Sequence, residues 1–137
     1  MPEKDLVRLY LSLVLPVLDY TCVVYHSMLS ITQENGLESL QKLALKIVYG
    51  VTGVSYDELL RRSGLCTLKE RRMKLLDKFI LKAVNHPTYG AWFPTKHFVH
   101  YNMRREKIYE ETFARTKRLY NSPIFYMRRR LNHISQS

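Results

Sequence analysis

Three helix-start signals of one kind lie in the first half of the chain, and they constrain its fold more than any other feature. In each, a Ser or Thr is followed three residues later by Gln or Glu, the capping-box pattern that satisfies free backbone N–H groups in a first helical turn. The pairs are Ser30 with Gln33, Ser55 with Glu58, and Thr67 with Glu70. Since no strands alternate with these helices, the pattern predicts an all-α fold, a small helical bundle.

Apolar residues at helical spacing extend the bundle toward the N-terminus. They recur over residues 6–18 and predict a mostly buried helix, kinked or broken at Pro16, which lacks the backbone N–H. We extend this helix through residues 20–25. The helix opened by Thr67 has the clearest pattern in the chain and is predicted to run to about Asn85.

The composition changes after residue 87, where we place a domain boundary. Residues 1–87 are predicted to form the helical bundle, and residues 88–137 to follow it as a separate part. Residues 88–103 are aromatic without periodicity, which indicates an irregular segment laid over the bundle. Residues 104–120 predict a marginal helix or an ordered tail, and Pro123 opens a last helix, which is basic.

The 137 residues carry a formal net charge of +10, and this charge is unevenly distributed. Residues 1–50 hold 4 basic and 5 acidic side chains, whereas residues 51–137 hold 18 basic and 7 acidic ones. A cationic second part is typical of contact with nucleic acid or an anionic membrane, and a merely solvated basic face is the alternative.

The longest uncharged apolar stretch, residues 9–18, is about half as long as a membrane-spanning helix, so we predict no transmembrane segment and no membrane partner. Its acidic flanks and the lack of a small-residue cleavage site argue against a secretory signal. Cys22 and Cys66 fit small apolar fillers in a reducing compartment. We therefore expect an intracellular protein, with nucleus and cytoplasm both left open.

The helix after Thr67 is predicted to have one packed face and one basic face. At 100° per residue, its cations fall within an arc of about 80°, opposite the leucines and isoleucine of the same helix. They reach about 16 Å along the axis, comparable to several phosphates of one strand. We predict phosphate contacts at Arg71, Lys74, Lys78 and Lys82.

A neighbouring arginine, Arg72, points toward the apolar side of that helix. We expect it to pair with a nearby carboxylate rather than with a ligand. The candidates are Asp57, Glu58 and Glu70.

Further cations lie in the basic tail. We predict secondary nucleic-acid contacts at Arg128, Arg129 and Arg130. Aromatic rings interleaved with arginines are open for stacking against bases. These are Tyr101, Tyr109, Tyr120 and Tyr126.

No pattern of catalytic or metal-ligating residues stands out. Two-metal phosphoryl transfer needs converging carboxylates, and the aspartates here are not adjacent to one another. His97 and His100 would share one face of a helix, but neither cysteine has a second cysteine at zinc-ligand spacing. We predict no catalytic residue, no metal and no cofactor, and a metal enzyme ranks third among the functions.

Six segments, in this order and spacing, carry a resemblance to a known family. They are LYLSLVLPVLDY at 9–20, VYH at 24–26, LESLQKLALKIVYG at 37–50, SYDELL at 55–60, LCTLKERR at 65–72 and NSPIFYM at 121–127. Together they resemble the region after the catalytic palm, and the C-terminal tail, of non-LTR (LINE-type) retrotransposon reverse transcriptases. The likeness covers residues 6–87 and returns at 117–132, with a weaker likeness between.

The resemblance implies a thumb-like helical bundle that grips the RNA template and the growing DNA, so its partner is RNA or an RNA–DNA hybrid bound through phosphates. The family is an RNA-directed DNA polymerase, but its Tyr/Phe-x-Asp-Asp catalytic motif is absent from this sequence. We therefore expect no polymerase activity from this chain alone. The alternative function is a protein-interaction or self-associating module, with apolar surface exposed along residues 11–24 where a palm would lie.

Overall fold

The regular structure of the chain is helical. The computed structural model describes residues 2–96 and 107–136. Within these ranges the backbone forms helices and no strand, apart from one isolated antiparallel bridge between Thr95 and Tyr109. The predicted all-α fold is therefore confirmed. The α-helices are α1 (Glu3–Leu9), α2 (Leu15–Asp19), α3 (Cys22–Tyr25), α4 (Ile31–Tyr49), α5 (Tyr56–Ser63), α6 (Leu68–Val84), α7 (Lys117–Tyr120) and α8 (Pro123–Ile134).

The N-terminal helix accommodates Pro16 without ending there. A π-helical segment, Tyr10–Val14, joins α1 to α2, and Pro16 lies in the first turn of α2. A proline removes one N–H donor and crowds the turn before it, so the wider π turn takes up the misfit. The regular helix ends at Asp19 instead, because Thr21 adopts a left-handed φ of 54°. The helix predicted to continue through residues 20–25 is therefore divided at Thr21.

The three predicted N-terminal caps are present. A hydroxyl oxygen accepts the backbone N–H three residues further along the chain in each case, from Ser30 before α4, Ser55 before α5 and Thr67 before α6. At α4 the box is complete, because Oε1 of Gln33 accepts the N–H of Ser30 at 2.9 Å. Both α4 and α5 end at glycines in the left-handed conformation, Gly50 and Gly64.

The chain divides into two compact units. Unit 1 comprises Met1–Cys22 and Leu29–Met73, and unit 2 comprises Val23–Met28 and Lys74–Ser137. The division passes through α6, whose first residues belong to unit 1 and whose later residues belong to unit 2. It differs in position from the sequence-based boundary after residue 87, which rests on composition alone.

Unit 1 packs its helices around two apolar clusters. Their buried members are Tyr10, Leu15 and Leu68 in the first and Leu45, Leu59 and Leu60 in the second. The buried amide of Gln41 bridges two other parts of the unit. Its Oε1 accepts the Tyr10 hydroxyl at 3.1 Å, and its Nε2 donates to the Cys66 carbonyl at 3.0 Å. A buried amide satisfied in this way orients the elements around it.

Glu38 of α4 holds the start of α6 in unit 1. Its carboxylate accepts the N–H groups of Leu68 at 3.3 Å and Lys69 at 2.8 Å, the first two residues of α6. A negative charge at this point complements the positive end of the helix dipole. The Tyr56 hydroxyl also donates to Glu38 at 2.6 Å. Burial and this hydrogen bond raise the pKa of Tyr56.

Unit 2 has buried apolar side chains of its own. They are Leu76, Ile80, Ala83, Phe93, Met127 and Leu131. The amide of Asn132 on α8 is buried as well, and it accepts the Tyr109 N–H at 2.9 Å and donates to the Tyr109 carbonyl at 3.1 Å. It also donates to the Glu111 carboxylate at 3.0 Å. One side chain therefore fixes the segment around Tyr109 to α8.

Candidate nucleic-acid interface

Three of the predicted phosphate contacts are exposed on one face of α6 in unit 2. Lys74, Lys78 and Lys82 are spaced four residues apart. At 1.5 Å per residue they span about 12 Å along the helix axis. Between them along the chain, Leu76 and Ile80 are buried, so the other face of the helix is packed. We call the three exposed lysines the lysine ridge.

The fourth predicted contact on this helix, Arg71, is engaged within unit 1. Its Nε lies 3.0 and 2.8 Å from the two carboxylate oxygens of Asp19, and its Nη2 lies 2.8 Å from Oδ2. The hydrogen bonds with Asp19 raise the pKa of Arg71, against the opposing effect of burial. The positive charge of Arg71 is thus compensated by Asp19 within unit 1. The phosphate contact predicted for Arg71 remains a prediction.

Arg72 is buried in unit 1, with a side chain only 2% exposed. Its Nη2 lies 3.7 Å from Oε1 of Glu34 on α4, in place of the carboxylates that the sequence suggested. Those were Asp57, Glu58 and Glu70. Among the residues that the structure describes, its Nε and Nη2 find no hydrogen-bond partner. Since a buried charge with open donors is costly, the ion pair with Glu34 has a structural role.

Arg130 joins α8 to α6 inside unit 2. Its Nε and Nη2 donate to the two carboxylate oxygens of Asp77 at 2.9 and 3.0 Å, the paired geometry that suits a guanidinium and a carboxylate. These bonds raise the pKa of Arg130. Because Arg130 compensates the charge of Asp77, that carboxylate does not offset the lysine ridge on the same helix.

The other two tail arginines are hydrogen-bonded to uncharged groups. Nε of Arg128 donates to the Trp92 carbonyl, and Nη2 of Arg129 donates to the Tyr120 carbonyl, both at 2.6 Å. The Arg129 guanidinium also stacks over the Tyr120 ring, 3.5 Å from its centre. Bonds to carbonyl oxygens leave a guanidinium with its net charge, so both residues add to the positive field of unit 2.

The aromatic residues predicted to stack with bases differ in their exposure. Tyr120 is exposed, Tyr109 and Tyr126 are half-buried, and Tyr101 lies outside the described residues. Sequence reasoning missed a group of exposed rings just after α6 in unit 2. The signal that could have found them is a spacing of three residues, which brings side chains to one side of a 3₁₀ turn. They are His86, Tyr89 and Trp92.

Unit 2 also contains an apolar groove of about 520 Å³. Phe79, Trp92 and Phe125 form part of its wall, and Arg128 is the one charged residue among those that line it. The volume falls within the range of small-molecule sites. The groove offers apolar and aromatic contact, with no acid–base pair for catalysis among its lining residues.

Residues 2–96 and 107–136 show no group of three or more His, Cys, Asp or Glu side chains arranged to hold a metal ion. His97 and His100 lie outside these ranges. Over the same residues, no single helix is both long and apolar enough to cross a membrane. The segments Glu3–Asp19 and Cys22–Met28 reach that length and composition only together, across a break.

Comparisons with known proteins identify no relative. No protein-family model matches the chain, and neither the curated proteins nor the solved structures give a significant match. The resemblance to LINE-type reverse transcriptases therefore remains a hypothesis about ancestry.

Proposed function

We propose that this chain is a nucleic-acid-binding helical module, derived from the thumb and tail of a LINE-type reverse transcriptase, whose ligand is RNA or an RNA–DNA hybrid. The lysine ridge is the observation that carries the proposal. Its three ammonium groups are exposed along one line of a packed helix. Each phosphate that they neutralise would release condensed counterions, which is the main source of sequence-independent affinity.

The distribution of charge between the two units supports the same conclusion. By sequence, unit 2 has 13 Lys and Arg against 4 Asp and Glu, whereas unit 1 has 9 against 8. Unit 1 is therefore nearly neutral, and +9 of the net charge of +10 belongs to the unit that contains the lysine ridge. A field of this size steers polyanions toward unit 2 and favours fast, salt-dependent association.

The proposal concerns binding and not catalysis. The sequence lacks the Asp-Asp motif that coordinates metal ions in the family, so we expect no nucleotide incorporation by this chain alone. A primer-extension assay on the purified chain should therefore remain blank while binding is measurable.

Replacing the lysine ridge tests the proposal directly. We expect the triple variant Lys74→Gln, Lys78→Gln, Lys82→Gln to bind an RNA–DNA hybrid more weakly and to lower the slope of log Kd against log salt by about three, one for each lost contact. The measurement is fluorescence anisotropy of a labelled hybrid over a salt series.

The matched control removes three lysines from unit 1. The triple variant Lys4→Gln, Lys42→Gln, Lys46→Gln has the same net charge as the ridge variant, so any difference between them reflects position and not total charge. Equal salt slopes for the two variants would show that the lysine ridge does not contact phosphates.

A second candidate function, protein interaction or self-association, is favoured by an exposed apolar face in unit 1. Leu13, Val17 and Tyr20 are 64%, 72% and 76% exposed. They lie within residues 11–24, where the sequence suggested a surface that a palm would cover. Large exposed apolar patches are typical of interaction surfaces. A further exposed set lies on α4 at Leu40, Leu43 and Ile47.

A further inference from the structure

Directly after α6, three aromatic side chains lie against one another at the surface of unit 2. The His86 and Tyr89 rings are stacked, with centres 4.5 Å apart and planes inclined by 27°, and the Tyr89 and Trp92 rings are tilted by 46° with centres 4.9 Å apart. Tyr89 is 41% exposed and Trp92 is 37% exposed, and His86 is exposed as well. We call these three side chains the aromatic platform.

The backbone beneath the aromatic platform is tightly held. The Gly90 N–H donates to the His86 carbonyl at 2.8 Å, and the Thr88 N–H donates to Nδ1 of His86 at 3.2 Å. A Cβ at Gly90 would lie 3.0 Å from the Val84 carbonyl oxygen, so this close approach to the end of α6 favours glycine. The rings are therefore arranged before any ligand arrives, which reduces the ordering cost of binding.

One cationic side chain lies next to the aromatic platform, and another precedes it along the chain. Lys82, the last member of the lysine ridge, is exposed near the end of α6. Arg128 donates to the Trp92 carbonyl through Nε and to the Thr112 hydroxyl through Nη1 at 3.1 Å, so its guanidinium is fixed beside Trp92. The aromatic faces thus lie in the positive field of unit 2, where an anionic ligand with flat rings fits best.

We propose that the aromatic platform binds single-stranded nucleic acid by stacking with unpaired bases, while Lys82 and Arg128 face the flanking phosphates. This rests on the proposed function and specifies its ligand. In a duplex the base faces are occupied by neighbouring bases, whereas an unpaired base has a free face for an aromatic side chain. Stacking of this kind is tolerant of sequence because every base has such a face.

Trp92 is the only tryptophan in the chain, so its fluorescence reports on the aromatic platform directly. We expect a single-stranded uridine oligonucleotide of about 12 residues to quench this fluorescence, and a duplex of equal length to quench it much less. We expect Tyr89→Leu to weaken single-strand binding about tenfold and to leave duplex binding unchanged. Both affinities are measured by anisotropy at one fixed salt concentration.

Two controls accompany Tyr89→Leu. Phe113→Leu removes an aromatic ring that is 87% exposed elsewhere in unit 2, and it should leave both affinities unchanged. Tyr89→Phe retains the ring and should retain single-strand binding. The quenching experiment uses the unmodified chain, so it remains decisive if Tyr89→Leu fails to fold.

The outcomes separate this inference from the proposed function. Lysine-dependent duplex binding, with no quenching by the single strand and no effect of Tyr89→Leu, would overturn the stacking site and leave the proposed function standing. Binding of neither single strand nor duplex by the unmodified chain would overturn both. Equal losses for Tyr89→Leu and Phe113→Leu would show that the effect is not specific to the platform.

Discussion

The Tyr10 hydroxyl is a buried titratable group of unit 1. The side chain is 4% exposed, and its hydroxyl donates to Oε1 of Gln41. Burial raises the pKa of Tyr10 to about 12, and the nearby charge of Asp19 adds to this effect while Arg71 opposes it. Below pH 10 the hydroxyl is neutral in both the folded and the unfolded chain. Between pH 10 and about 12 only the unfolded chain ionises, so the free energy of unfolding falls as the pH rises.

We therefore predict that the chain loses about 2 kcal/mol of stability through Tyr10 between pH 10 and 12. The measurement is urea unfolding followed by circular dichroism at pH 8, 10, 11 and 12. Tyr10→Phe should be less stable at pH 8, because it leaves the buried oxygen of Gln41 unpaired, but should show a shallower fall above pH 10. Part of the fall will remain, since the pKa of Tyr56 is also raised.

The control for Tyr10 is Tyr20→Phe, which alters an exposed tyrosine of the same unit. Its unfolding free energy should stay within about 0.5 kcal/mol of the parent value at each pH. An equally steep fall for Tyr10→Phe and the parent would contradict the assignment to Tyr10.

At the scale of elements, the start of α6 depends on a residue from another helix. The Thr67 hydroxyl caps the Glu70 N–H, but the N–H groups of Leu68 and Lys69 are satisfied by Glu38 of α4. The capping signal in the sequence identified where α6 begins, and it gave no indication that α4 supplies the carboxylate. Hydrogen bonds to a charged acceptor are stronger than neutral ones, so Glu38 contributes to the stability of unit 1.

We predict that Glu38→Gln destabilises the chain by about 1–3 kcal/mol, because the charge at the helix N-terminus is lost and an amide NH₂ group is brought toward N–H donors. The comparison is Glu58→Gln on α5, where Glu58 pairs with Arg61 and Arg62 at the surface. That change should cost no more than about 0.5 kcal/mol. Thermal unfolding of both variants measures the difference in stability. Equal losses of stability would show that the hydrogen bonds of Glu38 contribute no more than the surface ion pairs of Glu58.

Features set by neighbouring residues could be predicted from the sequence, whereas contacts between distant residues could not. N-terminal caps and the two faces of α6 are set by residues within a few positions of one another, and these predictions are confirmed. Ion pairs that tie helices together depend on residues far apart. Asp19 lies 52 positions before Arg71, and Asp77 lies 53 positions before Arg130.

Contacts between distant residues decide which candidate site residues keep an uncompensated charge. Periodicity predicted that Arg71 and the lysine ridge share one helix face. Among the described contacts of these cations, only Arg71 is paired with an acidic residue, Asp19. Which face of a helix a cation occupies is a local property. Whether that cation is already compensated depends on the tertiary fold, so sequence patterns alone cannot establish it.

At the scale of the whole molecule, unit 1 exposes apolar side chains while the chain has a net charge of +10. Like charges keep copies of a protein apart at low ionic strength, and salt screens this repulsion. Apolar association survives salt, whereas phosphate binding weakens. Salt therefore favours self-association, the second candidate function, and weakens nucleic-acid binding, the first.

We predict that the free chain is monomeric at low salt and self-associates at high salt through the exposed apolar face of unit 1. Light scattering over a salt series measures the mass. The double variant Leu13→Glu, Val17→Glu should remain monomeric at every salt concentration. The double variant Leu40→Glu, Leu43→Glu on α4 tests in the same way whether the other exposed set takes part in self-association. A monomer at all salt concentrations would count against self-association and leave the nucleic-acid proposal unaffected.

Asn132 has a consequence for how unit 2 tolerates sequence change. Its amide exchanges one donor and one acceptor with the backbone of Tyr109, which is what a neighbouring strand would do in a sheet. A single side chain thus imitates a peptide group. Aspartate offers acceptors without a donor and leucine offers neither, so few of the twenty amino acids can complete that imitation. Most substitutions at position 132 would therefore release the segment around Tyr109 from α8, while α8 itself would stay folded.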